Sequence, residues 1–309
     1  MKVCILESAS FSKSCIDAHV RQCVYIRDFL KQQGHAVDLF FTDDMPKVRT
    51  NDYDIIIKSY GSFYEDYKNI ARICENNPQA HLFWLTNEYD LRAGNAFQKL
   101  AYARGADQIA NFKSECIQYK KHYFVNLNAL FYQPKELQEK KYKICYFGTY
   151  RKDRAEYFKK YFTSEDFFLS SSPKNFKKFA SLGCKFKPCN KFVWGSKKDT
   201  LGNFKYSLYI EDRYTHKVFN NLADRFYEAL SNQTVTLFDK SCINTLKQSE
   251  LKDCNYQDFI INSLEDVNSR DYAEDWEKQS EWIDIVEKQK REALEKIETI
   301  LKNTLNKEP

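Results

Sequence analysis

Short apolar runs alternate with amphipathic helical patterns along this chain, and the alternation halts once and then restarts. "KVCIL" (2–6), "AVDLFF" (36–41), "DYDIIIKSY" (52–60) and "HLFWLTNEYD" (81–90) read as strands. Between the first two, Ser14 to Gln33 carry a helical period, with Ser14 and Asp17 as a capping box and Gly34 as the stop. "IARICENN" (70–77) is a second helix, and "GADQIANF" (105–112) and "YFVNLNAL" (123–130) read as later strands of the same layer. Apolar strands separated by helices call for a parallel sheet covered on both faces, which excludes all-helical and all-β architectures.

The halt is "FYQPKELQEKKYK" (131–143), which holds a proline and a charge run and no apolar period. The pattern then restarts with "KICYFGTY" as a strand ending at Gly148 and "KDRAEYFKKYF" as a helix. "YSLYIED" (206–212), a helix within "NNLADRFYEALSNQ", "TVTLFD" and "FIINS" follow. Trp276, Ile283, Val286, Leu294, Ile297 and Leu301 then recur at helical spacing in one long terminal helix. The expected fold is α/β, with two Rossmann-like doubly wound domains, residues 1–138 and 139–272, facing across a cleft. Residues 273–309 form a terminal helix packing back on the first domain.

At ~100–200 residues per domain, 309 residues suit this division. A 43% hydrophobic and 16% aromatic content supplies its cores. A net charge of +5, from 48 basic and 43 acidic residues, describes a mixed surface rather than a basic arm. The ten cysteines form no CxxC pair and complete no zinc spacing with the five histidines. Cys4, Cys23, Cys74 and Cys145 sit in apolar patterns and read as reduced core thiols. The apolar part of "MKVCILESAS" is too short for a secretion signal, and no run has the length of a membrane span, so a cytoplasmic protein is expected.

In open parallel sheets, ligands bind beyond the carboxyl ends of the strands. Three constellations fall there. In "YFGTYRKDR" (146–154), Gly148 permits close backbone approach, with Thr149 and Tyr150 beside it. The following helix start suits a phosphate, and Arg151 and Arg154 supply guanidinium donors. No GxGxxG and no GxxxxGK[ST] is present. In the second, Leu222, Phe226, Ala229 and Leu230 share one helix face, while Asn221, Arg225 and Glu228 form a polar stripe. Periodicity alone leaves that stripe open between solvent and ligand. The third is "LTNEYDLR" (85–92), where Glu88 and Asp90 are candidate general bases, with His19 and Glu7 as rivals.

A strand, a loop, a helix carrying "RFYEAL" and a strand "TVTLF" together resemble the donor site of GT-B glycosyltransferases. "YFGTYRKDR" likewise resembles the start of the nucleotide-binding domain in bacteriophage and bacterial members. Retaining members carry two glutamates at fixed spacing here. At that spacing Asn220 stands where the first would be and Glu228 keeps the second. The resemblance implies a transferase for hexosyl or pentosyl groups. A UDP-sugar is the expected donor, with no tightly bound cofactor and no essential metal, and no clear DxD-type metal motif is found. Glu228 would bond the donor ribose, and Arg225 with Arg151 and Arg154 would neutralise the diphosphate.

For the acceptor, the phage-like pattern points to a hydroxymethylated pyrimidine in double-stranded DNA, flipped from the duplex. Lys185, Lys187, Lys191 and Trp194, in the basic-aromatic stretch 174–198, are the candidate DNA-binding residues. The same stretch also reads as a solvated lysine face over core aromatics. A cell-surface glycan acceptor, as in lipopolysaccharide or capsule assembly, and a non-catalytic nucleotide- or nucleic-acid-binding protein stay open beside it.

Overall fold

The computed structural model describes residues 1–7, 21–59, 67–86, 107–110, 122–192, 200–211 and 222–306. They form two compact units: residues 1–131 with 289–309, and residues 132–288. The first unit contains β1 (Lys2–Glu7), α1 (Arg21–Gln32), β2 (Ala36–Phe41), β3 (Ile55–Lys58), α2 (Tyr67–Asn76), β4 (His81–Thr86), β5 (Asp107–Ala110) and β6 (His122–Phe124). The second begins with β7 (Tyr142–Phe147), α3 (Ala155–Tyr161), β8 (Thr163–Ser170), α4 (Pro173–Ala180), β9 (Lys185–Cys189) and β10 (Phe204–Tyr209). It continues with α5 (Asp224–Ser231), β11 (Val235–Asp239), α6 (Ile243–Gln248), β12 (Ile260–Ile261) and α7 (Tyr272–Ser280). The last helix, α8 (Ile283–Leu305), enters the first unit from Gln289 onward.

In the first unit a six-stranded sheet runs β2-β1-β3-β4-β5-β6, every pairing parallel. Strand alternation decides what covers each face. Val3 and Ile5 of β1 face a core with Cys23, Ile26 and Leu30 of α1, joined by Ala293, Ile297, Ile300 and Leu301 of α8. Cys4 and Leu6 face the opposite core, with Ile70, Ile73 and Cys74 of α2. Gly34, at φ +85°, ends α1 by donating its N–H to Lys31 O at 3.0 Å. This is the left-handed position that glycine fills at low cost.

The second sheet also has six strands, ordered β12-β11-β10-β7-β8-β9, and is again parallel throughout. The chain is therefore two parallel-sheet α/β units with a long C-terminal helix. Cys4, Cys23, Cys74 and Cys145 are all buried, and none of them is in a disulfide.

Four details depart from the sequence reading. "YFVNLNAL" is a strand only in its first residues, because Asn126 Oδ1 accepts from Ala129 N–H at 3.3 Å and the chain coils into a 3-10 turn over Leu127–Phe131. The terminal helix is two helices: Asp271 caps α7, and the break before α8 lets Trp282 pack on Phe226, Phe238 and Phe259. β8 and β9 carry no long apolar run: β8 opens with four polar residues before Phe167 and Leu169 enter the core, and β9, the edge of its sheet, sets Phe186 between exposed Lys185 and Lys187. The expected linker is fixed in place by the carboxyl end of α5, whose unpaired carbonyls need donors. Lys135 N–H bonds Ser231 O at 3.0 Å, and the Lys140 ammonium bonds Asn232 O at 3.0 Å.

One titratable contact joins α8 to the turn after α1. His35 Nε2 lies 3.6 Å from Glu298 Oε1, with both side chains nearly buried. Burial, the chain's amino terminus and Lys302 hold His35 below its ordinary pKa, against the opposing pull of Glu298. The native state thus favours neutral imidazole, so its contribution to stability is intact above pH ~6.5 and is lost as pH falls through the depressed value. Chemical denaturation between pH ~7 and ~5 will show a loss of stability that is smaller in His35→Gln. An unchanged pH dependence in that variant would assign the loss to other groups.

Candidate functional site

The second sheet, read from its free end as β9-β8-β7-β10-β11-β12, reverses direction between β7 and β10. At such a reversal the connecting segments leave to opposite sides and open a crevice beyond the strand ends. Gly148 follows β7 there, and Ile210 and Glu211 follow β10. Three charged side chains converge at this point. Arg154 Nη2 lies 2.9 Å from Glu211 Oε2, and Arg225 Nη2 lies 3.3 Å from Glu211 Oε1. Arg154 and Glu211 are 4% and 2% exposed, while Arg225 keeps 17% of its side chain accessible.

Each group is held by the local fold. The segment after Gly148 does not enter its helix directly: a 3-10 turn over Lys152–Arg154 precedes α3 and carries the Arg154 side chain inward. Arg225 stands in the first turn of α5, whose N-cap residue Ala223 donates its N–H to Tyr209 Oη at 2.7 Å. From there the Arg225 Nη1 donates to Ile210 O at 3.1 Å and to Tyr146 Oη at 3.4 Å. The guanidinium also lies over the Tyr209 and Tyr146 rings, 5.5 and 5.8 Å from their centroids.

Gly148 adopts φ +157°, and a Cβ there would meet Tyr146 Oη at 3.0 Å. Its carbonyl accepts from Ser171 Oγ at 2.7 Å, and Asn175 Nδ2 in turn donates to Ser171 Oγ at 2.9 Å. The β7 loop is thereby fastened to the turn between β8 and α4.

Burial alone would lower the Arg225 pKa, but Glu211 and the hydroxyls of Tyr146 and Tyr209 raise it above the ordinary value. Burial and the Glu211 charge push the Tyr209 hydroxyl well up, so it stays neutral. Among the described residues two guanidiniums lie against the one carboxylate of Glu211, and Arg225 is the one with an accessible edge. The neighbouring carboxylate, Asp239 after β11, is matched by Lys160 at 2.7 Å and adds no net charge. An anion reaching the switch point meets Arg225 first, and a desolvated charge acts more strongly than one in water.

The residues read from sequence divide as follows. Gly148, Arg154 and Arg225 come together. Arg151 is exposed, whereas the Arg154 side chain is buried against Glu211. Thr149 is exposed, and the Tyr150 ring packs on Phe158 and Phe179. Glu228 is half-buried on α5, one turn beyond Arg225. Lys185, Lys187 and Lys191 are exposed on or after the edge strand β9. His19, Glu88, Asp90, Trp194, Asn220 and Asn221 lie outside the described residues. Glu211 was read only as the end of a strand; its signal is an acid placed directly after an apolar strand with two arginines nearby in the fold. Among the described residues no cluster of His, Cys, Asp and Glu is arranged to hold a metal.

No family model and no curated protein matches the chain. Among solved structures, Anabaena Alr3699/HepE in complex with UDP aligns with 99% of this chain and 100% of its own, at 11% identity and a TM-score of 0.44. AviGT4, a glycosyltransferase involved in avilamycin A biosynthesis, aligns over 95% of this chain and 98% of its own, at 10% identity and 0.49. TarM aligns over 86% of this chain and 57% of its own, at 12% identity and 0.41. No residue role transfers across likenesses this distant.

The ion cluster makes a stability prediction. Arg154→Met leaves the buried Glu211 carboxylate with one guanidinium instead of two, and the unfolding free energy will fall by about 3–5 kcal/mol. Adding Glu211→Gln to that variant removes the uncompensated charge and will restore part of the loss in the same denaturation assay. A double variant no more stable than the single one would show that the ion pair is not what Arg154 contributes.

Proposed function

We propose that the chain is a glycosyltransferase that moves a sugar from a nucleotide-diphosphate donor to an acceptor hydroxyl, with the donor diphosphate held at Arg225 beside Gly148. The observation that carries this reading is the convergence of two guanidiniums on Glu211 at the second unit's switch point, with the accessible edge on Arg225. As the sugar C1–O bond breaks, its electron pair passes to the diphosphate, and a fixed guanidinium stabilises that growing charge. Arg154 does not touch the donor: it holds Glu211, and Glu211 holds Arg225. Glu228 accepts from the ribose hydroxyls, and the exposed Arg151 adds a second cation near the phosphates.

UDP is the nucleotide we propose, with basic side chains rather than an essential metal neutralising it. The acceptor is a hydroxymethylated pyrimidine in duplex DNA or a cell-surface glycan. The packing of the described aromatic side chains speaks against the DNA. Phe179 is buried, and Phe186 and Phe192 pack on Phe162 and Phe147, so these aromatics are turned away from a base that would stack on them.

Calorimetric titration with UDP in the presence of EDTA tests the donor site. The wild type will bind, and Arg225→Ala and Glu228→Ala will each weaken binding at least roughly tenfold, the effect of losing a hydrogen bond to a charged group. Normal UDP affinity in both variants would refute the assignment. Sugar transfer to duplex DNA containing 5-hydroxymethylcytosine, with none to glycan, would reverse the acceptor choice.

A further inference from the structure

From Phe167 to Lys198 the sequence holds eight lysines, no arginine and no acidic residue. Six of these, Lys174, Lys177, Lys178, Lys185, Lys187 and Lys191, belong to described residues, and all six are exposed. Lys174, Lys177 and Lys178 follow helical spacing along α4, while Lys185 and Lys187 project from one side of β9. Because β9 ends its sheet and α4 leads into it, these charges gather along one border of the second unit. Lys178 lies 5.5 Å from the Tyr150 ring and Lys187 5.0 Å from the Phe168 ring. Among the described residues none of the six meets a carboxylate.

Protection of an open strand explains part of this. Lysines and a proline on an edge strand prevent pairing with another chain, and Lys185, Lys187 and Pro188 suit that purpose. It does not explain the three lysines of α4, which lie off the strand, nor the lack of a single acid over the whole stretch. A surface of unmatched like charge is self-repelling, and an anionic partner relieves that repulsion.

We propose that this border, α4 with β9, docks on the surface of an anionic lipid bilayer. Two features favour a bilayer over nucleic acid. The charges are all lysines, which act as point charges and lack the planar fork that reads phosphates and base edges. The described aromatics of α4 and β9, Phe176, Phe179 and Phe186, pack on one another or on Phe158 and Phe162. Each lysine near an anionic leaflet contributes about 1 kcal/mol, so a handful suffices for reversible attachment.

Co-sedimentation with vesicles tests this without any nucleotide, so its outcome is independent of the donor site. The full chain will sediment with phosphatidylcholine vesicles containing phosphatidylglycerol and not with phosphatidylcholine alone, and added salt will release it. Lys174→Glu/Lys178→Glu on α4 and Lys185→Glu/Lys187→Glu on β9 will each weaken binding by roughly 30-fold or more. Their melting temperatures, unchanged from wild type, will show that the fold is intact. Equal binding to both vesicle types, binding to neither, or tight binding to duplex DNA without vesicle binding would overturn the proposal. So would a loss confined to the β9 variant, which would reduce the charges to edge protection.

Discussion

The second unit is organised around one carboxylate shared by two guanidiniums. Glu211 accepts from Arg154 on one side and faces Arg225 on the other, in surroundings where a single unpaired charge is costly. The three residues come from different segments: the turn before α3, the residues after β10 and the first turn of α5. Their pairing therefore fixes where those segments stand relative to each other. A buried ion pair adds little net stability over an apolar substitute of the same shape. Here its consequence is positional, because it keeps the Arg225 guanidinium at the switch point with an edge accessible.

What places this cluster is the strand order rather than any motif. A parallel sheet winding outward in both directions from β7 and β10 leaves its crevice where the two halves diverge. The loop at Gly148 closes one side, with the Tyr146 hydroxyl 3.0 Å from where a β-carbon would stand. The carboxyl end of α5 lies at the opposite end of the same helix, tied to the segment 133–141 through Ser231 and Asn232. A short helix is thus anchored at both ends, by Tyr209 at Ala223 and by the connecting segment beyond Ser231. Rigid support of this kind holds a binding group in one geometry before the ligand arrives.

Much of the architecture was legible in the sequence because parallel strands buried on both faces write themselves as apolar runs. Val3 to Leu6, Ile55 to Ile57 and Val235 to Phe238 are examples, as is the helical stripe of Cys23, Ile26 and Leu30. β9 was not, because an edge strand with one open side needs no apolar run and here carries lysines, nor was β8, whose first four residues are polar. Trp282 broke a helix that periodicity read as continuous, since an aromatic pocket formed by Phe226, Phe238 and Phe259 is invisible in one dimension. The site was half legible. Arg225, Arg154 and Gly148 stood out by type and place, but the difference between Arg151 and Arg154 depends on a 3-10 turn, and Glu211 gains its meaning only from two partners distant in sequence.

The central claim is that the Arg225 guanidinium receives the diphosphate of a nucleotide. The most direct measurement is a crystal structure of the protein with UDP. The account predicts a phosphate oxygen within hydrogen-bond distance of the Arg225 guanidinium, close to the Gly148 backbone, with Arg154 still paired to Glu211. UDP bound elsewhere in the chain, with Arg225 and Glu211 in contact and no phosphate beside them, would contradict it.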